Sequence, residues 1–314
     1  MDMITDQITY ENTSWPSLAD CTLCPRECHI DRNAGETGYC GQTARITAAR
    51  AALHFWEEPC LSGTNGSGAV FFGGCSLRCV YCQNREIAQG LAGREITTDR
   101  LSDIFLELQE KQAHNINLVT PTHFIPQIVT ALENAKGRGL SIPVVYNTSA
   151  YEKVDTLRLL EGLVDIYLPD LKYCDPTISG RYSNAPDYFT VASLAIAEMA
   201  RQVGSPTFVD GEDSLMVTGV IVRHLLLPGC ERDSRRILRY LHETYHNDIY
   251  ISIMNQYTPL SQVSHIPELN RRISKKEYDR IVAYAIDIGI ENGFIQEGET
   301  ASESFIPAFD CEGI

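Results

Sequence analysis

The run GGCSLRCVYCQN places Cys75, Cys79 and Cys82 at a C-x3-C-x2-C spacing. Thiolates are soft ligands of the kind iron–sulfur clusters select. Three of them from one short loop leave one iron of a four-iron cube without a ligand from that loop. An open iron can bind a small molecule, as catalysis requires. Zinc would ask instead for four closed ligands in paired C-x2-C knuckles, and three unrelated free thiols are the remaining alternative. The strand-like AVFFGG leading into the loop and Tyr81 just before Cys82 favour the cluster.

A second group lies in CTLCPRECHIDRNAGETGYCG, where Cys21, Cys24, Cys28 and Cys40 follow C-x2-C-x3-C-x11-C. Four thiolates within one short segment, with Pro25, Gly35 and Gly38 shaping turns, make a closed metal site. A structural zinc and an auxiliary [4Fe–4S] cluster both fit, the short knuckles suiting zinc. A zinc would staple the fold or shape a docking surface, whereas a cluster would move electrons or ligate substrate. Cys60, Cys174, Cys230 and Cys311 read as small buried hydrophobes.

The other properties narrow the class. Eleven cysteines without a basic-then-apolar leader imply a reducing cytoplasm and metal ligation in place of disulfides. The sequence has no apolar run long enough to span a bilayer. A net charge of −15 disfavours a nucleic-acid partner, since phosphate backbones would be repelled. GSGAVFFGG carries glycines but precedes a strand, the wrong context for a phosphate loop.

The elements that must position these residues follow from periodicity. Apolar, β-branched runs at 69–73, 116–120, 143–147, 164–168, 219–227 and 249–254 read as strands covered on both faces. Helix patterns at 97–112, 124–137, 153–162, 188–204, 231–246 and 275–289 alternate with them. Six β-then-α units imply parallel strands with right-handed crossovers. The expected fold is α/β, a partial (β/α)6 TIM-like barrel with a small N-terminal cysteine-rich metal-binding extension; a doubly wound open sheet is the alternative. Residues 1–68 form the extension and linker, with 51–68 read as Gly/Ser-rich loop, 69–290 the barrel and 291–314 a tail. Chemistry in such barrels gathers at the C-terminal strand ends. Those ends carry Thr120, Thr122 and His123, Asn147 and Thr148, Asp170 and Lys172, Arg223 and His224, and Asn255 and Gln256. Any single one of them also fits a turn or helix cap.

The C-x3-C-x2-C run with Tyr81 before its last cysteine resembles the signature of the radical S-adenosylmethionine (radical SAM) superfamily. That resemblance implies a [4Fe–4S] cluster whose open iron is chelated by S-adenosylmethionine, and reductive cleavage to a 5′-deoxyadenosyl radical that abstracts hydrogen. CVYCQNRE (79–86), LPDLKYCDP (168–176) and VRHLLLPG (222–229) are similar to the branch of glycyl-radical-enzyme activating enzymes typified by pyruvate formate-lyase activating enzyme. The likeness spans roughly residues 68–257 and puts Tyr81 and Asn84 in the cluster run. It implies that Asp170 and Lys172 contact S-adenosylmethionine and that Arg223 helps to hold it. It also places Asn147, Thr148 and Leu168 at a monovalent-cation site. The branch carries a glycine-rich acid motif after its second strand, where this chain reads VTPTHF, so Thr120, Thr122 or nearby carbonyls would serve. Where the branch presents a histidine after its sixth strand, Gln256 stands in MNQYTP. The run C-P-R-x-C followed by G-E-x-G-x-C resembles an N-terminal extension of an activase-like subgroup. The implied partners are a glycyl radical enzyme as substrate protein and a flavodoxin- or ferredoxin-like electron donor, the donor docking near Arg78, Arg85 and Arg94. Direct action on a metabolite or peptide, and an iron–sulfur scaffold or sensor without turnover, are the alternatives.

Overall fold

The computed structural model describes residues 16–209, 214–296 and 307–314. Its strands are β1 (Ile46–His54), β2 (Ser67–Phe72), β3 (Arg94–Ile96), β4 (Ile116–Val119), β5 (Val144–Thr148), β6 (Ile166–Pro169), β7 (Thr207–Phe208), β8 (Met216–Leu225), β9 (Tyr250–Met254) and β10 (Gly293–Ile295). The sheet runs β10-β9-β8-β6-β5-β4-β2-β1-β3, with β7 pairing only with β8. From β2 to β10 neighbouring strands on this path are parallel. β1 is antiparallel to both β2 and β3. The path has two ends, so the barrel is partial.

All six expected strands are present, because each is largely apolar. Every residue of β2, β4, β5 and β6 is buried, as helix-covered parallel strands require. The six expected helices form too: Thr98–Glu110, Ile125–Gly137, Val154–Leu157 with the 3-10 turn Arg158–Leu160, Tyr188–Val203, Glu231–Tyr245 and Lys275–Asp287. Their starts carry local signals. Thr97 accepts from the Arg100 N–H, and Ser274 with Glu277 forms a reciprocal capping box. Among the described residues no helix is long and apolar enough to cross a membrane.

The loop expected at 51–68 is corrected. β1 continues through His54, and Pro59–Ser62 makes a helical turn. The run ITAARAALH is alanine-rich, which favours helix locally, but pairing with β2 buries Ala48, Ala49 and Ala51 completely or nearly so. Further elements had no clear sequence signal, among them the short strands β3, β7 and β10, the last within the expected tail. The helix Pro176–Ser183, capped by Asp175, follows β6. Residues 307–314 lie along β1, where Ala51 donates to the Glu312 carbonyl (2.8 Å) and Cys311 donates to that of Ala49 (3.0 Å).

Residues 16–45 hold together by turns around one arginine. Arg32 is fully buried and donates to the carbonyls of Thr43 and His123. Its own backbone pairs with Leu18 and Ala44.

Candidate functional site

β2 delivers the cysteine loop to the C-terminal end of the sheet. Gly74 makes the turn at φ +85, and a Cβ there would meet the Cys40 carbonyl at 2.7 Å and Gln42 Cγ at 2.5 Å, so glycine is required. Cys75 Sγ accepts the N–H groups of Leu77 (3.3 Å) and Arg78 (3.4 Å). Cys79 Sγ accepts from Ser183 Oγ at 3.0 Å. Ser183 continues through Tyr173 to Tyr81, each step 2.7 Å, tying the helix Pro176–Ser183 to the loop. Burial pushes the Cys82 thiol up to about 12 and raises that of Cys79, which Lys172 partly offsets. A bare thiolate is therefore disfavoured here, and a metal that takes up its charge is what the site suits. Three thiols on one short loop, with N–H and O–H donors aimed at Cys75 and Cys79, suit an iron–sulfur centre.

The three cysteines open into a cavity of about 260 Å³. Tyr81, Asn84, Thr120, Asn147, Asp170, Lys172, Arg223 and Gln256 also line it. β6 and β8 run side by side, so Asp170 meets Arg223 across the sheet at 3.0 Å while Lys172 folds back to Asp170 at 2.5 Å. Arg223 also donates to Asn147 Oδ1 at 2.6 Å. Burial opposes charge on Asp170, but Lys172 and Arg223 outweigh it and hold the carboxyl below its usual range. Burial likewise opposes the Lys172 ammonium, and Asp170 outweighs it. The Tyr188 hydroxyl fixes the turn between them, accepting the Lys172 N–H (3.0 Å) and donating toward the Asp170 carbonyl (2.7 Å).

One acid absent from the sequence expectations joins this network. Glu57 lines the cavity and accepts from Arg223 at 3.2 Å and from Asn117 at 3.1 Å. Burial raises its pKa against the pull of Arg223. The signal was the pair of acids in the apolar run FWEEPCL, which only the pairing of β1 with β2 turns toward the cavity. Its setting places an acid against one amide and one guanidinium, those of Asn117 and Arg223.

Residues 69–229 match the radical SAM superfamily. The chain belongs to that superfamily. Membership implies a [4Fe–4S] cluster and S-adenosylmethionine, which the thiol loop and the charged cavity fit. Among similar proteins, an uncharacterized protein of Methanocaldococcus jannaschii, MJ0674, is 26% identical over 85% of this chain and 74% of its own length. The pyruvate formate-lyase-activating enzyme of Clostridium pasteurianum is 25% identical over 50% of this chain and 69% of its own. SuiB of Streptococcus suis, solved bound to S-adenosylmethionine, superposes on 71% of the chain with a TM-score of 0.47 and 14% identity; this chain spans under half of it, 48%.

Within the radical SAM frame, the sequence candidates separate. Thr148 and Thr122 do not line the cavity: both donate to the buried carboxylate of Glu152, Thr122 at 2.5 Å. Leu168 packs in an apolar cluster with Val145 and Ile166. Gln256 lines the cavity and its carbonyl accepts from Gln83 at 2.9 Å. His224 bonds the Leu171 carbonyl (2.8 Å), and burial lowers its pKa to about 4, a structural role. Cys174 lies outside the cavity lining, with its backbone N–H held by Asp233 at 2.9 Å. Arg85 and Arg94 are exposed, whereas Arg78 is partly buried against Tyr39.

The second thiol group converges too. Cys21, Cys24, Cys28 and Cys40 surround a small void of about 10 Å³, with Arg32, Gly38 and His123 in its wall. A Cβ on Gly38 would fall 2.6 Å from Cys28 Sγ. Burial pushes the Cys24 thiol up to about 12 and raises that of Cys40. With the side chains as they stand, no three His, Cys, Asp or Glu among the described residues are grouped so as to hold a metal ion, in this thiol group or in the loop of Cys75, Cys79 and Cys82.

Proposed function

We propose that this radical SAM protein cleaves S-adenosylmethionine reductively and abstracts a hydrogen atom from a glycine Cα of a partner protein, leaving a glycyl radical. The observation that carries this reading is one cavity in which Cys75, Cys79 and Cys82 face the Asp170–Lys172–Arg223 network. The cluster and S-adenosylmethionine supply the radical chemistry when bound. The chain supplies the rest. Cys75, Cys79 and Cys82 would hold the cluster by three thiolates. Lys172 and Arg223 would neutralise the methionine carboxylate, while Asp170 and Glu57 would accept hydrogen bonds from its amino group. Thr120, Asn84, Asn147 and Gln256 line the same cavity and would complete the polar wall, and Tyr81 sets its ring edge-on to Tyr257. Thr148 acts from behind that wall, through its bond to Glu152.

A macromolecular substrate is supported by the mouth of the cavity. Trp56 lines it yet is 64% exposed, beside Phe55 at 50%. Exposed aromatic side chains at a functional cleft suit docking of a polypeptide. The similarity to a pyruvate formate-lyase-activating enzyme points the same way. Electrons come from a flavodoxin- or ferredoxin-like donor that meets exposed Arg85 and Arg94. The four N-terminal thiolates hold a second metal, zinc or a [4Fe–4S] cluster.

The test is anaerobic. Reconstituted protein is given dithionite, S-adenosylmethionine and a candidate glycyl-loop polypeptide deuterated at its glycine α-carbons. Deuterium appearing in 5′-deoxyadenosine supports glycine abstraction. Unlabelled 5′-deoxyadenosine rejects that substrate and favours direct action on a metabolite or side chain. Cys79→Ala is expected to abolish cleavage by removing one of three cluster ligands; retained cleavage would sink the assignment of this loop.

A further inference from the structure

We infer that Cys21, Cys24, Cys28 and Cys40 enclose a second, thiolate-held metal centre whose frame braces the loop carrying Cys75, Cys79 and Cys82. The inference extends the reading of both thiol groups as metal ligands, and it rests on how tightly one is fastened to the other.

Four contacts make the fastening. Arg26, between Cys24 and Cys28 in sequence, donates to the Ser76 carbonyl (2.9 Å), the Ser183 carbonyl (3.1 Å) and the Asn184 carbonyl (2.6 Å). Ser76 follows Cys75, and Ser183 is the residue whose hydroxyl donates to Cys79 Sγ. One guanidinium thus holds the neighbours of two cluster ligands at once. Tyr39, beside Cys40, stacks under Arg26 at 3.9 Å and donates to the Leu77 carbonyl at 3.3 Å. The Cys40 carbonyl packs against Gly74, directly before Cys75.

The fourth contact runs through His123. Its ring lies in the wall of the small void, and its Nε2 is 2.6 Å from the Gly73 carbonyl. A carbonyl only accepts, so Nε2 carries the proton and Nδ1 is a bare lone pair. That Nδ1 is buried and has no hydrogen-bond partner among the described residues. A buried, unpaired acceptor thus belongs to a residue in the wall of the void that the four cysteines line. Arg32 closes the same wall, donating to the His123 carbonyl at 2.7 Å and lying 3.9 Å from Cys21 Sγ.

The physical consequence is directional. Metal bound to the four thiolates fixes residues 21–40 as one closed frame. Arg26 and Tyr39 are then held in place without further ordering cost, and the cluster loop is positioned by a second shell from outside the barrel.

Two experiments test this, neither by activity. The first replaces Cys75, Cys79 and Cys82 together by alanine and counts metal after anaerobic incubation with iron, sulfide and zinc. About one zinc or about four irons per chain should remain, and be lost when Cys24→Ser and Cys28→Ser are added. A metal-free triple variant with an unchanged circular dichroism spectrum would overturn the second centre, and that result is independent of any radical chemistry. The second compares Arg26→Gln with the unaltered protein. The N-terminal metal should stay bound, while the electron paramagnetic resonance signal of the reduced cluster shifts and responds less to S-adenosylmethionine. An unaltered spectrum with full iron content would overturn the brace.

Discussion

Asp170 is held between two cations, and its value to a ligand depends on both. Asp170→Ala would leave Lys172 without its acid and Arg223 paired with Glu57 alone of its two bonded acids in a buried site. S-adenosylmethionine affinity is expected to fall by about tenfold or more, equivalent to about 1.4 kcal/mol, with iron content unchanged; equilibrium binding to the reconstituted protein measures it. Unchanged affinity would remove Asp170 from the site. Glu152 makes a different prediction. Burial pushes its carboxyl from an ordinary 4.5 up to about 7, despite hydroxyl donors from Thr122, Thr148 and Tyr146. The folded state therefore binds this proton more tightly than the unfolded chain does. The penalty is absent below about pH 4.5 and grows as pH rises toward 7, to the order of 3 kcal/mol. Glu152→Gln should gain stability relative to the unaltered protein over that window in urea melts at pH 5 and pH 8. A constant difference would reject the assignment. At this scale the cysteines were legible because metal ligation is written in local spacing. Glu57 was not, since its side chain reaches Arg223 across 166 residues of sequence.

The elements explain which parts of the site could be read beforehand. β2, β4, β5, β6, β8 and β9 declare themselves by continuous apolar runs, so their polar C-terminal ends could be named from sequence. β1 concealed itself behind alanines, and with it went the segment that carries Trp56 and Glu57 into the cavity. The helix Pro176–Ser183 leaves little signal in the sequence because it is short, yet it supplies the hydroxyl on Cys79. Turn geometry at the end of β2 gives the prediction belonging to this scale. Gly74→Ala would need a left-handed φ and would collide with the Cys40 carbonyl. It should lower iron retention at the catalytic loop while the far-ultraviolet circular dichroism spectrum survives. Full iron loading in that variant would show that the turn can be rebuilt.

For the molecule as a whole, buried thiols are a liability until metal takes up their charge. Loading with iron, sulfide and zinc should raise the melting temperature of the reduced protein, and chelation should lower it, because binding free energy at such sites is folding free energy. Calorimetry under argon reads this directly; equal melting temperatures would contradict it. The clamp of Arg26 also sets an order in time. Its acceptor Asn184 lies 158 residues further along the chain. At roughly 5–20 residues per second, synthesis leaves the N-terminal cysteines without that anchor for roughly ten to thirty seconds. These thiols thus wait for an anchor synthesised long after them, and a newborn chain must be kept reduced and free of the wrong metal until Asn184 has emerged.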